Sequence, residues 1–95
     1  KNMETSAVKF EVFGKVQGVY FRKHTKSQAQ QLGILGWVKN TRRGTVIGKA
    51  QATTEQMSEF CHWLRHVGSP KSEITNLVLE STQPNPAFKS FIIKK

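Results

Sequence analysis

Ninety-five residues make one domain with a thin core, and a hydrophobic content of 37%, clustered and periodic, favours a folded globule over disorder. Fifteen Lys and Arg against six acidic residues give a net charge of +9, which favours anionic partners: phosphorylated metabolites, nucleic acid or anionic lipid. All six acidic residues are Glu, so aspartyl-phosphate chemistry and most carboxylate-built Mg²⁺ or Ca²⁺ sites are disfavoured.

Residues 1–6 are polar and read as a flexible tail, with the folded domain over 7–95. Val8, Phe10 and Val12 alternate with Lys9, Glu11 and Phe13, which predicts a first strand. A glycine-punctuated loop follows, Gly14 to Tyr20. Phe21, Thr25, Ala29 and Leu32 recur at helical spacing, and Gly33 supplies a stop. Leu35 to Asn40 reads as a second strand, Thr41-Arg42-Arg43-Gly44 as a tight turn, and Thr45 to Ala52 as a returning third strand. Thr53 and Gln56 have the spacing of a capping box. Behind it, Met57, Phe60, Cys61, Leu64 and Val67 fall on one helical face, ended by Gly68 and Pro70. Ile74 to Glu80 alternates around Leu77 and Leu79 as a fourth strand. Pro84 and Pro86 mark a loop, and Phe88 to Ile93 reads as a short edge strand. The order βαββαβ plus a short C-terminal strand predicts an α+β, ferredoxin-like split βαβ fold, with two helices on one face of an antiparallel sheet.

A single Cys61 forms no internal disulfide and suggests a reducing, cytoplasmic compartment. No apolar run approaches the roughly 20 residues that cross a bilayer, and Lys1 to Ala7 carry no signal-peptide core. Membrane insertion is therefore not expected. Nothing in the sequence argues for an oligomer, so a monomer is the default.

The densest signal is Gly14-Lys15-Val16-Gln17-Gly18-Val19-Tyr20-Phe21-Arg22. A loop with two glycines can turn consecutive N–H groups inward, and a helix N-terminus just behind it adds partial positive charge. Arg22 would stand in the first helical turn. There it opposes the helix dipole, unless an anion lies between it and the loop amides. The glycine spacing fits neither a Walker loop nor a dinucleotide fingerprint. Asn40 closes the second strand, either as a plain turn former or as an amide that orients a water. His62 and His66 have the i,i+4 spacing of zinc ligands, but the intervening Trp63, Leu64 and Arg65 lack the metalloprotease Glu, both fall on the outer helix face, and a zinc site needs three or four converging ligands. Cys61 lies on the apolar face and reads as a core residue, with no arginine six positions on to serve a cysteine phosphatase.

These residues resemble the acylphosphatase family. One matching block is Gly14 to Arg22. The other is Gly36-Trp37-Val38-Lys39-Asn40, continued by Thr41-Arg42-Arg43-Gly44-Thr45-Val46. The stretch from Trp63-Leu64 to Val67-Gly68-Ser69-Pro70 and the C-terminus around Phe91 are also similar. The likeness runs from residue 7 onward and is nearer the small eukaryotic enzymes than the related domains of larger proteins. The chain's end, Ile92-Ile93-Lys94-Lys95, departs from the aromatic–basic pair of vertebrate members, and Ala52 stands where a glycine is usual.

The resemblance implies cleavage of the carboxyl–phosphate bond of acyl phosphates to a carboxylate and inorganic phosphate, without metal, cofactor or covalent intermediate. It assigns the phosphate cradle to the backbone of Lys15, Val16, Gln17, Gly18, Val19, Tyr20 and Phe21. It gives phosphate binding to Arg22 and water positioning to Asn40. The implied partners are small acyl phosphates, with acyl-phosphorylated proteins as a second class and inorganic phosphate as product or inhibitor. RNA-recognition domains share this element order and would suit the charge. Their Lys/Arg-Gly-aromatic-Gly/Ala-Phe pattern is absent, so nucleic acid is not an expected partner.

Overall fold

A computed structural model describes residues 5–94. Strand β1 spans Thr5–Lys15, helix α1 Phe21–Leu32, β2 Leu35–Asn40, β3 Val46–Thr53, α2 Thr54–His66, β4 Glu73–Ser81 and β5 Phe91–Ile93. The strands form one sheet in the order β4-β1-β3-β2-β5. The order and the split βαβ arrangement agree with the sequence reading. Strand β1 begins at Thr5, inside the segment read as a tail; residues 1–4 of that segment lie outside the described residues, as does Lys95.

The sheet is antiparallel except at one edge, where β5 runs parallel to β2. This follows from the topology. Strand β4 ends at the end of the sheet where β2 begins, so a chain crossing there re-enters alongside β2. The Gln51 side chain secures the crossing: its Nε2 donates to the Asn85 carbonyl at 2.9 Å, and the Asn85 N–H donates to its Oε1 at 2.7 Å. The edge strand covers only Phe91 to Ile93, three residues shorter than the apolar run predicts. Phe88 closes a turn instead, its N–H donating to the Asn85 carbonyl.

Both helices bury one stripe against the sheet. Helix α1 packs over β2 and β5, and α2 over β1, β3 and β4. Phe21, Thr25 and Ala29 face inward from α1, and Met57, Phe60 and Leu64 from α2. They meet Phe10, Val12, Val38, Val46, Ala50 and Phe91 of the sheet. Phe60 sits between Phe10 and Phe91 in edge-on contacts at 6.0 and 5.9 Å. Burying a side chain of this size stabilises by about 1.5–3 kcal/mol.

The helix ends follow local chemistry. The Thr53 hydroxyl accepts from the Gln56 N–H, and the Gln56 side chain accepts from the Thr53 N–H, a complete capping box. Gly33 takes a left-handed conformation to end α1. Val67, expected on the apolar stripe of α2, is more than half exposed. The helix stops at His66, with Val67 as its C-cap. No helix among the described residues is long and apolar enough to cross a membrane.

Candidate active site

The loop between β1 and α1 is held from below by its own valines. Val16 and Val19 are buried in the core, as is Phe21 at the start of α1. Gly18 and Tyr20 are thereby turned outward, and Gln17 is half-buried. Among the described residues, none of the N–H groups of Gln17 to Tyr20 donates to another backbone group. Tyr20 is the N-cap of α1, and no side chain caps that end. The first turn of α1 contains no acidic residue, although the dipole favours one there; it carries Arg22 and Lys23 instead. The result is a helix N-terminus with open N–H groups and two cations beside it.

A cavity of about 370 Å³ opens at this end of the molecule, lined by Val16, Gly18, Tyr20, Phe21, Arg22, Lys23, Asn40 and Ile93. Arg22 and Asn40, eighteen residues apart in sequence, thus face one space. Asn40 arrives from the end of β2, on the helix-facing side that also carries Val38. Its Oδ1 is buried and makes no hydrogen bond among the described residues. A buried acceptor left in this way is uncommon and calls for a reason.

The other residues expected in a phosphate cradle divide. Lys15 belongs to β1, paired with Glu73, and does not line the cavity. Val19 gives its side chain to the core. Gln17 does something its spacing does not reveal: its Nε2 donates to the carbonyls of both Thr41 and Thr45, each at 2.8 Å. That pair of bonds ties the loop to the turn just after Asn40.

The turn is braced in its own right. Glu11 Oε2 accepts from Arg43 Nη2 and from Thr45 Oγ1, each at 2.6 Å. Since the Thr45 hydroxyl donates to the carboxylate, the 2.7 Å contact between the two threonine hydroxyls is donated by Thr41. The hydrogen bond from Arg43, joined by that from Thr45, holds the Glu11 carboxyl below its ordinary range. Composition and spacing mark none of Glu11, Thr41, Arg43 or Thr45 as functional. Only the strand register, which sets Glu11 diagonal to the turn, brings them together.

Outside the cavity, His62 and His66 are exposed on α2 with ring centroids 4.9 Å apart. Among the described residues, no three His, Cys, Asp or Glu side chains are placed to share a metal ion. Cys61 is half-buried, and its burial pushes the thiol pKa up, away from a reactive thiolate.

Comparison with known proteins converges. The family model described as Acylphosphatase matches residues 8–93. Acylphosphatase-1 of Xenopus laevis is 48% identical over 83 residues, covering 87% of this chain and 84% of that protein. Acylphosphatase-2 of Bos taurus is 46% identical over 90 residues, covering 93% and 91%. Among solved structures, an acylphosphatase from Coxiella burnetii superposes with a TM-score of 0.89 at 29% identity, covering 95% of this chain and 93% of that one.

Proposed function

The chain belongs to the acylphosphatase family, enzymes that hydrolyse acyl phosphates, and from that premise we propose how its own residues carry the reaction. The phosphoryl group sits against the N–H groups of Gly18 to Phe21 and the first turn of α1, with the Arg22 guanidinium forked onto its oxygens. Asn40 Oδ1 accepts a hydrogen bond from a water and aims it at phosphorus. The observation that carries this reading is the shared cavity, in which open amides and a cation face a buried, unpartnered carboxamide oxygen.

The chemistry asks little more. An acyl phosphate leaves as a stabilised carboxylate, so the departing oxygen needs no strong acid. The demand is to hold a multiply charged group and to fix the nucleophile in line with the departing oxygen. Each hydrogen bond to a charged group contributes about 1.5–3 kcal/mol, so a handful accounts for binding and for part of the barrier. No carboxylate or imidazole lines the cavity as a general base. A phosphoryl oxygen therefore takes the proton of the attacking water, and neither a metal nor a covalent intermediate takes part. Small acyl phosphates are the substrates, with acyl-phosphorylated proteins as a second class, acted on by a monomer in the cytoplasm.

The test is hydrolysis of benzoyl phosphate in the presence of EDTA, with inorganic phosphate as inhibitor. Turnover with competitive inhibition by phosphate is expected. Loss of turnover in EDTA, or indifference to phosphate, contradicts the mechanism.

A further inference from the structure

The cavity holds more than a phosphoryl group. Its volume of about 370 Å³ lies within the range of about 300–1,000 Å³ common to small-molecule sites. The lining is also unequal in chemistry. Val16 and Phe21 are buried and form a floor. Gly18, Arg22, Lys23 and Asn40 supply the polar groups. Two apolar side chains remain at the mouth, Ile93 at 37% exposure and Tyr20 at 75%.

Tyr20 is the more unusual of the two. Its φ of 59° makes it the one non-glycine residue with positive φ among the described residues. Asn and Gly suit that conformation better than an aromatic residue does. A large ring is thus held out over the cavity, while its neighbours Val19 and Phe21 turn into the core.

In-line displacement separates the roles of these two side chains. The leaving carboxylate departs opposite the attacking water. Ile93 pairs with Val38 and so stands beside Asn40, which in the proposed mechanism is the side of the water. Tyr20 belongs to the other wall, where the loop enters α1. We infer that the Tyr20 ring is the acyl-side contact of this site, and that it selects acyl phosphates whose acyl group is flat and aromatic. This rests on the acyl-phosphate reading of the cavity. Offset or edge-on ring contacts of this kind change binding by about two- to tenfold.

The experiment compares kcat/KM for benzoyl phosphate and acetyl phosphate in the wild type, Tyr20→Asn and Tyr20→Phe. Asn removes the ring yet suits the left-handed backbone, and the benzoyl-to-acetyl ratio cancels any damage to phosphate binding common to both substrates. The ratio should fall about five- to tenfold in Tyr20→Asn and stay within about twofold of wild type in Tyr20→Phe. An unchanged ratio in Tyr20→Asn, or an equal fall in both variants, overturns the subsite. A wild type that hydrolyses neither compound overturns the reading of the cavity itself.

Discussion

The side-chain amide of Gln17 donates to the carbonyl of Thr41 at 2.8 Å, and so joins the loop between β1 and α1 to the residue that follows Asn40. A second bond to the Thr45 carbonyl makes the link two-pronged. Both bonds are partly buried, and they link the two walls of the cavity. Gln17→Ala should lower stability by about 1–2 kcal/mol, since two acceptors lose a donor. For a chain of this size that corresponds to a fall in Tm of roughly 4–8 °C per kcal/mol. Thermal unfolding checks this. A variant that melts with the wild type would mean that the loop and turn are placed independently.

Glu11 makes the same region sensitive to acid. The hydrogen bonds from Arg43 and Thr45 lower its folded-state pKa below the ordinary 4.5. The stabilisation is therefore present in full above the unfolded-state pKa, and is lost as pH falls through the lower folded-state value. Glu11→Gln should melt earlier than wild type at pH 7, and the gap between the two melting temperatures should close as pH falls below the ordinary Glu value. Parallel Tm–pH curves for the two proteins would show that the carboxylate contributes nothing through its charge.

Gly14 and Gly18 are both in the loop motif, but they are needed for different reasons. Gly14 has φ 125°, at the point where the β1–β4 register shifts, and a Cβ there would collide with the Glu73 carbonyl oxygen. Gly18 has φ 75° and open space around it. Gly14→Ala should cost about 2–5 kcal/mol, combining backbone strain with a clash. Gly18→Ala should cost about 1–2 kcal/mol from backbone strain alone. Denaturant midpoints will separate them, and equal losses would contradict this division.

Most of the fold was legible because local chemistry and tertiary packing agree. The capping box at Thr53 and Gln56, the stop at Gly33 and the alternation along β1 each lead to the element observed. The exceptions are set by contacts that no local pattern encodes. Strand β1 runs on to Lys15 because β4 pairs with it beyond the bulge. Phe88 is apolar enough for a strand, but the crossing loop takes it into a turn. At the candidate site, Arg22 could be singled out because an arginine in a first helical turn opposes the helix dipole, whereas Asn40 reads locally as a plain turn former and gains its role only from the resemblance of its motif. Gln17 could be read only for its backbone, since its side-chain partners lie 24 and 28 residues away. Tyr20 could likewise be read only for its backbone, and nothing in the sequence marks its side chain. Its left-handed backbone and its exposure belong to the folded loop.

Arg22 supplies a full charge beside the open end of α1, with Lys23 next to it on the cavity lining, and its planar fork should serve the bound phosphate and the transition state alike. Arg22→Gln is expected to raise the inhibition constant for inorganic phosphate and to lower kcat together, with the fold largely kept because the side chain is not fully buried. A variant with normal phosphate inhibition and normal turnover would remove Arg22 from the site.

The most direct measurement is a pair of constants on Asn40→Ala: kcat with benzoyl phosphate and the inhibition constant for inorganic phosphate. If Asn40 aims the water and the loop with Arg22 holds the phosphoryl group, kcat falls by a factor on the order of 10²–10³ while the phosphate constant stays within about twofold. If turnover is unchanged, or if phosphate affinity collapses in step with it, the division of labour between the two walls of this cavity is wrong.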